Sequence, residues 1–95
     1  MKRQTVNEKQ LRRMRAAINA EMWRYERCLE FLPRIPAEVV DAGVELFASE
    51  AALALWLCQP ARSLGGKIPM KVALTRRGAK RVTQVLNAIS YGVYL

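Results

Sequence analysis

The sequence predicts an all-α fold, with a long N-terminal helix followed by a compact bundle of about four short helices. Three observations carry this. Apolar residues recur every three or four positions, the repeat of a helix face, and nowhere alternate over the length of a strand. Pro33, Pro36, Pro60 and Pro69 fall at the edges of the periodic runs rather than inside them. Asn, Ser and Thr stand where helix starts need side-chain caps.

The first helix spans 8–32. It holds no Gly or Pro, and its apolar face runs Leu11, Met14, Ile18, Met22, Tyr25, Leu29 and Leu32. Asn7 or Thr5 caps it, and Pro33 and Pro36 end it by forcing extended backbone before each proline. Leu11, Ile18, Tyr25 and Leu32 also recur every seven residues, as a self-pairing seam would. Arg15 and Glu21 interrupt the companion row, which favours an amphipathic helix folded onto its own domain.

Pro36 suits the first turn of a second helix, with Glu38 near its positive end, followed by Val39, Val40, Gly43, Val44, Leu46 and Phe47. Ser49 caps a third helix from Glu50 to Cys58, apolar on most of its circumference and therefore expected at the centre of the bundle. Residues 59–67 form the one strong loop, in which Gly65 and Gly66 permit positive φ. Pro69 opens a short helical segment, Met70 to Leu74, and Thr75 caps a last helix from Arg76 to Tyr91. Gly78 lets this helix approach a neighbour closely, and Gly92 stops it. Trp56, Leu53, Leu57, Val82, Leu86 and Ile89 are expected to be buried together. The chain thus divides into an N-terminal helix, 1–36, and a helical domain, 37–95.

Composition narrows the function. The chain has 95 residues and is 52% hydrophobic and 25% charged, which fits one small globular domain. It contains no histidine, which excludes histidine triads, histidine-ligated zinc and histidine general bases. Its side-chain carboxylates all lie at or before Glu50, and Asp41 with Glu45 reads as solvated surface, so no enzyme is predicted. No metal or cofactor is expected. The Leu64-Gly65-Gly66-Lys67 turn lacks the earlier glycine, the following Ser or Thr and the flanking strand of a phosphate loop. Cys28 and Cys58 are isolated thiols, expected to be reduced and packed. The basic start leads into no apolar stretch, and the longest apolar run, 51–58, is far below the roughly 20 residues that span a bilayer. The expected location is the cytoplasm, away from membranes.

Charge is concentrated. The net charge is +8, and residues 51–95 hold seven basic side chains with no Asp or Glu. Arg76, Arg77, Lys80 and Arg81 occupy the first two turns of the last helix, where the dipole disfavours cations. Such a cluster points to a partner, either the phosphates of a nucleic acid or an acidic protein surface. A basic nucleic-acid-binding protein that represses its own operon is one reading of it. The second anomaly is the apolar end, Val93-Tyr94-Leu95, just past a helix stop. It docks either on its own core or in a partner's pocket, with Tyr94 as anchor and the Leu95 carboxylate as anion.

The ordered series Phe47-Ala-Ser-Glu-Ala-Ala, Trp56-Leu57, Pro60, Leu64-Gly65-Gly66-Lys67, Pro69, Thr75, Gly78-Ala79, Val82, Leu86, Ile89 and Tyr91-Gly92-Val93 resembles the toxin-binding domain of Xre/MbcA/ParS-like antitoxins. The resemblance covers about residues 37–95. Trp56, Leu64, Gly65, Gly66, Pro69 and Gly78 carry its fold signature. It implies an antitoxin of a bacterial type II toxin–antitoxin system, whose partner is a RES-domain toxin that consumes NAD or uses it for ADP-ribosylation. It also implies that the carboxyl-terminal end, Tyr91, Gly92, Val93, Tyr94 and Leu95, enters the toxin's active-site cleft. Homodimers within heterotetramers or larger complexes, and binding to operator DNA, are implied as well. Three positions depart from the family's pattern: Ala48 where glycine is usual, and Lys71 and Arg77 where acids are common. Relatives often carry a helix-turn-helix domain ahead of this module. The 36 residues that precede it here read as one helix, a dimerisation element or a remnant of such a domain.

Overall fold

Asn7 starts the first helix with a reciprocal cap. Its Oδ1 accepts from the Gln10 N–H at 2.8 Å, and Gln10 Oε1 accepts from the Asn7 N–H at 3.2 Å. The computed structural model describes residues 5–92 and is all-α. It has a long α1 (Glu8–Phe31), then α2 (Ala37–Phe47), α3 (Glu50–Leu57), α4 (Pro69–Val72) and α5 (Arg76–Ser90). Single 3₁₀ turns at Leu32–Arg34 and Arg62–Leu64 join them, and no strand occurs among the described residues.

Each boundary has a local cause. Pro33 takes α1 into its 3₁₀ turn. Ala48 ends α2 in the left-handed region at φ 54°, donating its N–H to the Val44 carbonyl at 2.7 Å. Ser49 Oγ accepts from the Ala52 N–H at 3.1 Å and Thr75 Oγ1 from the Gly78 N–H at 3.0 Å, which caps α3 and α5. Pro69 sits at the start of α4, where its missing N–H has no helical partner to lose.

The core lies chiefly between α2 and α5, closed at its ends by α3 and α4. Val39 on α2 and Val82, Val85 and Leu86 on α5 are fully buried, joined by Leu53, Leu57 and Met70. Gly43 admits α3: a Cβ there would stand 2.2 Å from Leu53 Cδ1.

Three expectations change. The central helix is α5, not α3, whose Leu55 is exposed. Eight residues give α3 too little length to bury every side. Trp56 and Ile89 are half-buried at the rim rather than inside, with Trp56 against the Phe47 ring at 6.1 Å between centroids. The third concerns α1, which does not fold its apolar face onto the domain. Cys28 is its one buried residue, while Leu11, Met14, Ile18, Met22 and Leu29 are exposed.

The C-terminal part of α1 is fastened by a different side. Arg24 Nε donates to the Cys58 carbonyl at 2.8 Å, and its NH2 to Gln59 Oε1 at 3.0 Å. The Gln59 amide in turn donates to the Tyr25 hydroxyl. A cation thus meets a carbonyl at the negative end of α3. The N-terminal part of α1 projects, and the molecule measures 55 × 28 × 24 Å. Its radius of gyration, 16.9 Å, exceeds the roughly 12 Å of a compact chain of this length.

Candidate functional site

The 61–67 turn is built by two glycines. Gly65 and Gly66 hold φ of 66° and 81°, a region that side chains with a Cβ rarely adopt. This lets the chain fold back so that Ala61 donates to the Lys67 carbonyl at 3.0 Å and accepts from the Gly66 N–H at 2.9 Å. Leu64 turns inward and is buried. The turn then delivers Lys67 directly to α4, whose first residue, Pro69, is also buried.

Opposite stands the start of α5. Gly78 is pressed against the end of α4, and a Cβ there would lie 1.7 Å from the Val72 carbonyl oxygen. An open groove of about 740 Å³ runs between the turn, α4 and the first two turns of α5. Lys67 and Lys71 line one wall, Arg77 and Arg81 the other, over a floor that includes Ile68 and Val72. All four cations are exposed, and none forms an ion pair among the described residues. The start of α5 adds its partial positive charge. Such a groove suits an anion that lies along it, either phosphates or the carboxylates of a protein surface.

The structure therefore divides the predicted cluster and enlarges it. Arg77 and Arg81 enter the groove, while Arg76 and Lys80 stand exposed on α5 outside its lining. Lys67 and Lys71 belong to it and were missed. Lys67 closes the turn and Lys71 lies on α4, both outside the periodic run of α5, and only the fold sets them against Arg77 and Arg81. The lack of acids after Glu50 was the sequence signal that included both, and the departure of Lys71 from the family's usual acid pointed to one of them.

The second candidate surface lies at the other end of α5, about 22 Å away along 15 residues. The helix closes with the Tyr91 N–H on the Asn87 carbonyl at 3.1 Å and the Gly92 N–H on the Ile89 carbonyl at 2.9 Å. Gly92 turns the chain at φ 78°, and Tyr91 is 85% exposed. The predicted tail residues Val93, Tyr94 and Leu95 lie outside the described residues.

The remaining chemistry is quiet. Burial, with a hydrogen bond that the Cys58 thiol donates to Cys28, pushes Cys58 up to about 11, so it stays protonated and un-nucleophilic near neutrality. No group of three metal-ligating side chains occurs among the described residues, and no helix there is long and apolar enough to cross a membrane.

Comparison with curated proteins and with solved structures gives no match. A family model does match, that of the antitoxin Xre/MbcA/ParS C-terminal toxin-binding domain, over residues 42–92. That span runs from within α2, through the glycine turn and the basic groove, to the glycine that follows α5. The chain belongs to this family of antitoxins and carries their toxin-binding domain.

Proposed function

We propose that the protein neutralises a RES-domain toxin in the bacterial cytoplasm as the antitoxin of a type II pair. It acts without catalysis, by placing its carboxyl-terminal end in the cleft where the toxin binds NAD. The observation that carries this reading is the end of α5. Tyr91 is left 85% exposed and a glycine turn follows it, and the sequence beyond that turn, Val93-Tyr94-Leu95, is apolar, as an anchor for a partner's pocket would be. The globular body supplies the rest of the contact, with the basic groove facing acids on the toxin. A heterotetramer built on an antitoxin dimer is the assembly this reading implies.

The test is a truncation. Removing residues 92–95 is expected to abolish rescue of cells that co-express the toxin, while α1 to α5 still fold and unfold cooperatively. Full rescue by the truncated chain refutes the tail mechanism.

A second reading has its own observation, the groove that assembles Lys67, Lys71, Arg77 and Arg81. Operator DNA bound there, with the toxin as co-repressor, would let the protein repress its own operon. Neutralising four phosphates gives a slope of about −3.6 in log K against log salt on duplex DNA. A promoter fragment that is not retarded even at low salt excludes it.

A further inference from the structure

Leu11, Met14, Ile18, Met22, Leu29 and Leu32 form a stripe along α1 and its 3₁₀ turn, each between 43% and 67% exposed. So much aligned apolar surface on one helix is a docking face rather than scattered surface residues. It lies outside residues 42–92, the span of the toxin-binding domain. Beside its C-terminal part, Tyr25, Leu29 and Leu32 of α1 and Leu55 of α3 border an apolar groove of about 200 Å³.

Apart from Met22, which lies beside its centre, the stripe has apolar residues at the same places in both directions. Reversing α1 about the point between Glu21 and Met22 places Leu11 on Leu32, Met14 on Leu29 and Ile18 on Tyr25. A two-fold interface requires this self-complementarity. Charge follows the same rule. Arg12 and Arg15 flank one edge of the stripe in its N-terminal half, and Glu26 and Glu30 flank that same edge in its C-terminal half. In an antiparallel pair like edges face each other, so each arginine pair meets a glutamate pair. In a parallel pair opposite edges face each other, so the arginines would meet Gln10 and Ala17 rather than the glutamates.

We propose that two copies of this chain pair through α1, antiparallel. Each helix lays its projecting N-terminal half in the other's groove of Tyr25, Leu29, Leu32 and Leu55. The pairing covers the stripe and the exposed Leu55 together, and explains why α1 extends beyond the body that holds its other end. It stands independently of what the toxin-binding domain engages.

The test uses the full 95-residue chain without toxin. Sedimentation equilibrium at about 0.1 mM is expected to give twice the 10.8 kDa chain mass. Ile18→Glu, at a site 60% exposed in the single chain, is expected to give a monomer whose body still unfolds cooperatively. Arg12→Glu with Arg15→Glu is expected to weaken the dimer at least about tenfold. Adding Glu26→Arg and Glu30→Arg to the same chain is expected to restore it. A monomeric wild-type chain, including one that uses α1 only with the toxin present, overturns the proposal. So does a dimer that survives Ile18→Glu, or one indifferent to the first charge change, as a parallel pair would be.

Discussion

Ala48 is the one non-glycine among the described residues with positive φ, at 54°. It ends α2 where the resembling family usually has glycine, and the conformation shows why glycine suits the position. A Cβ in the left-handed region crowds the following carbonyl. Ala48→Gly is therefore expected to raise stability by about 0.5–1 kcal/mol, because strain relief outweighs the added backbone entropy. A rise in the urea midpoint with unchanged slope would show it, and a fall would mean that the Cβ makes compensating contacts. Gly78 and Gly43 pose the opposite constraint. Each is a helical glycine kept by a neighbour's proximity, Val72 in one case and Leu53 in the other. Sequence showed the glycine at 78 on the helix's packed side, but not that a backbone carbonyl is what excludes a Cβ there.

At the scale of elements, α5 carries a conflict between its own stability and the surface it presents. Arg76 and Arg77 occupy its first turn with no acid among them, against the helix dipole. Arg76→Glu and Arg77→Glu are each expected to stabilise the domain by about 0.5 kcal/mol, a rise of a few degrees in Tm. Their binding effects should differ. Arg77 lines the groove and Arg76 does not, so Arg77→Glu should weaken an anionic partner far more, measured as Kd for the toxin and for DNA. Equal losses from both would show that the field of the whole helix, rather than the groove, recognises the partner. The third helix teaches a different lesson. An all-round apolar pattern predicted a central element, yet Leu55 faces outward beside the α1 groove. Hydrophobicity identifies surface that must be covered but leaves open whether the cover belongs to the same chain.

Across the whole molecule, the decisive contact is the fastening of α1 to the end of α3. Arg24 serves the Cys58 carbonyl, Gln59 and Glu21 together, with Tyr25 and Cys28 packed beside it. Arg24→Ala is expected to cost about 1.5–3 kcal/mol, since it leaves a part-buried carbonyl without its charged donor. Hydrogen exchange should then quicken in 24–31 before the α2–α5 core is affected. Uniform loss of protection would mean that α1 and the body unfold as one unit. This attachment also sets the direction in which α1 projects, and so which apolar residues remain uncovered.

Local chemistry alone decided the elements of this protein. Prolines, three side-chain caps and a three-to-four repeat specify five helices and their limits to within a residue or two, because those interactions span only a few positions. The same is true of the charge asymmetry and of the ordered residues that mark the antitoxin family. The tertiary structure decided which of these features meet. The groove needs Lys67, at the end of the double-glycine turn, and Lys71, on α4, set beside Arg77 and Arg81 at the start of α5, residues that share no periodicity. The exposed stripe needs α1 held by the side that bears Arg24 and Cys28, rather than by its most apolar one. The body binds that side because a charged hydrogen bond to a helix end and two packed thiols are available there. The stripe itself is left to a partner.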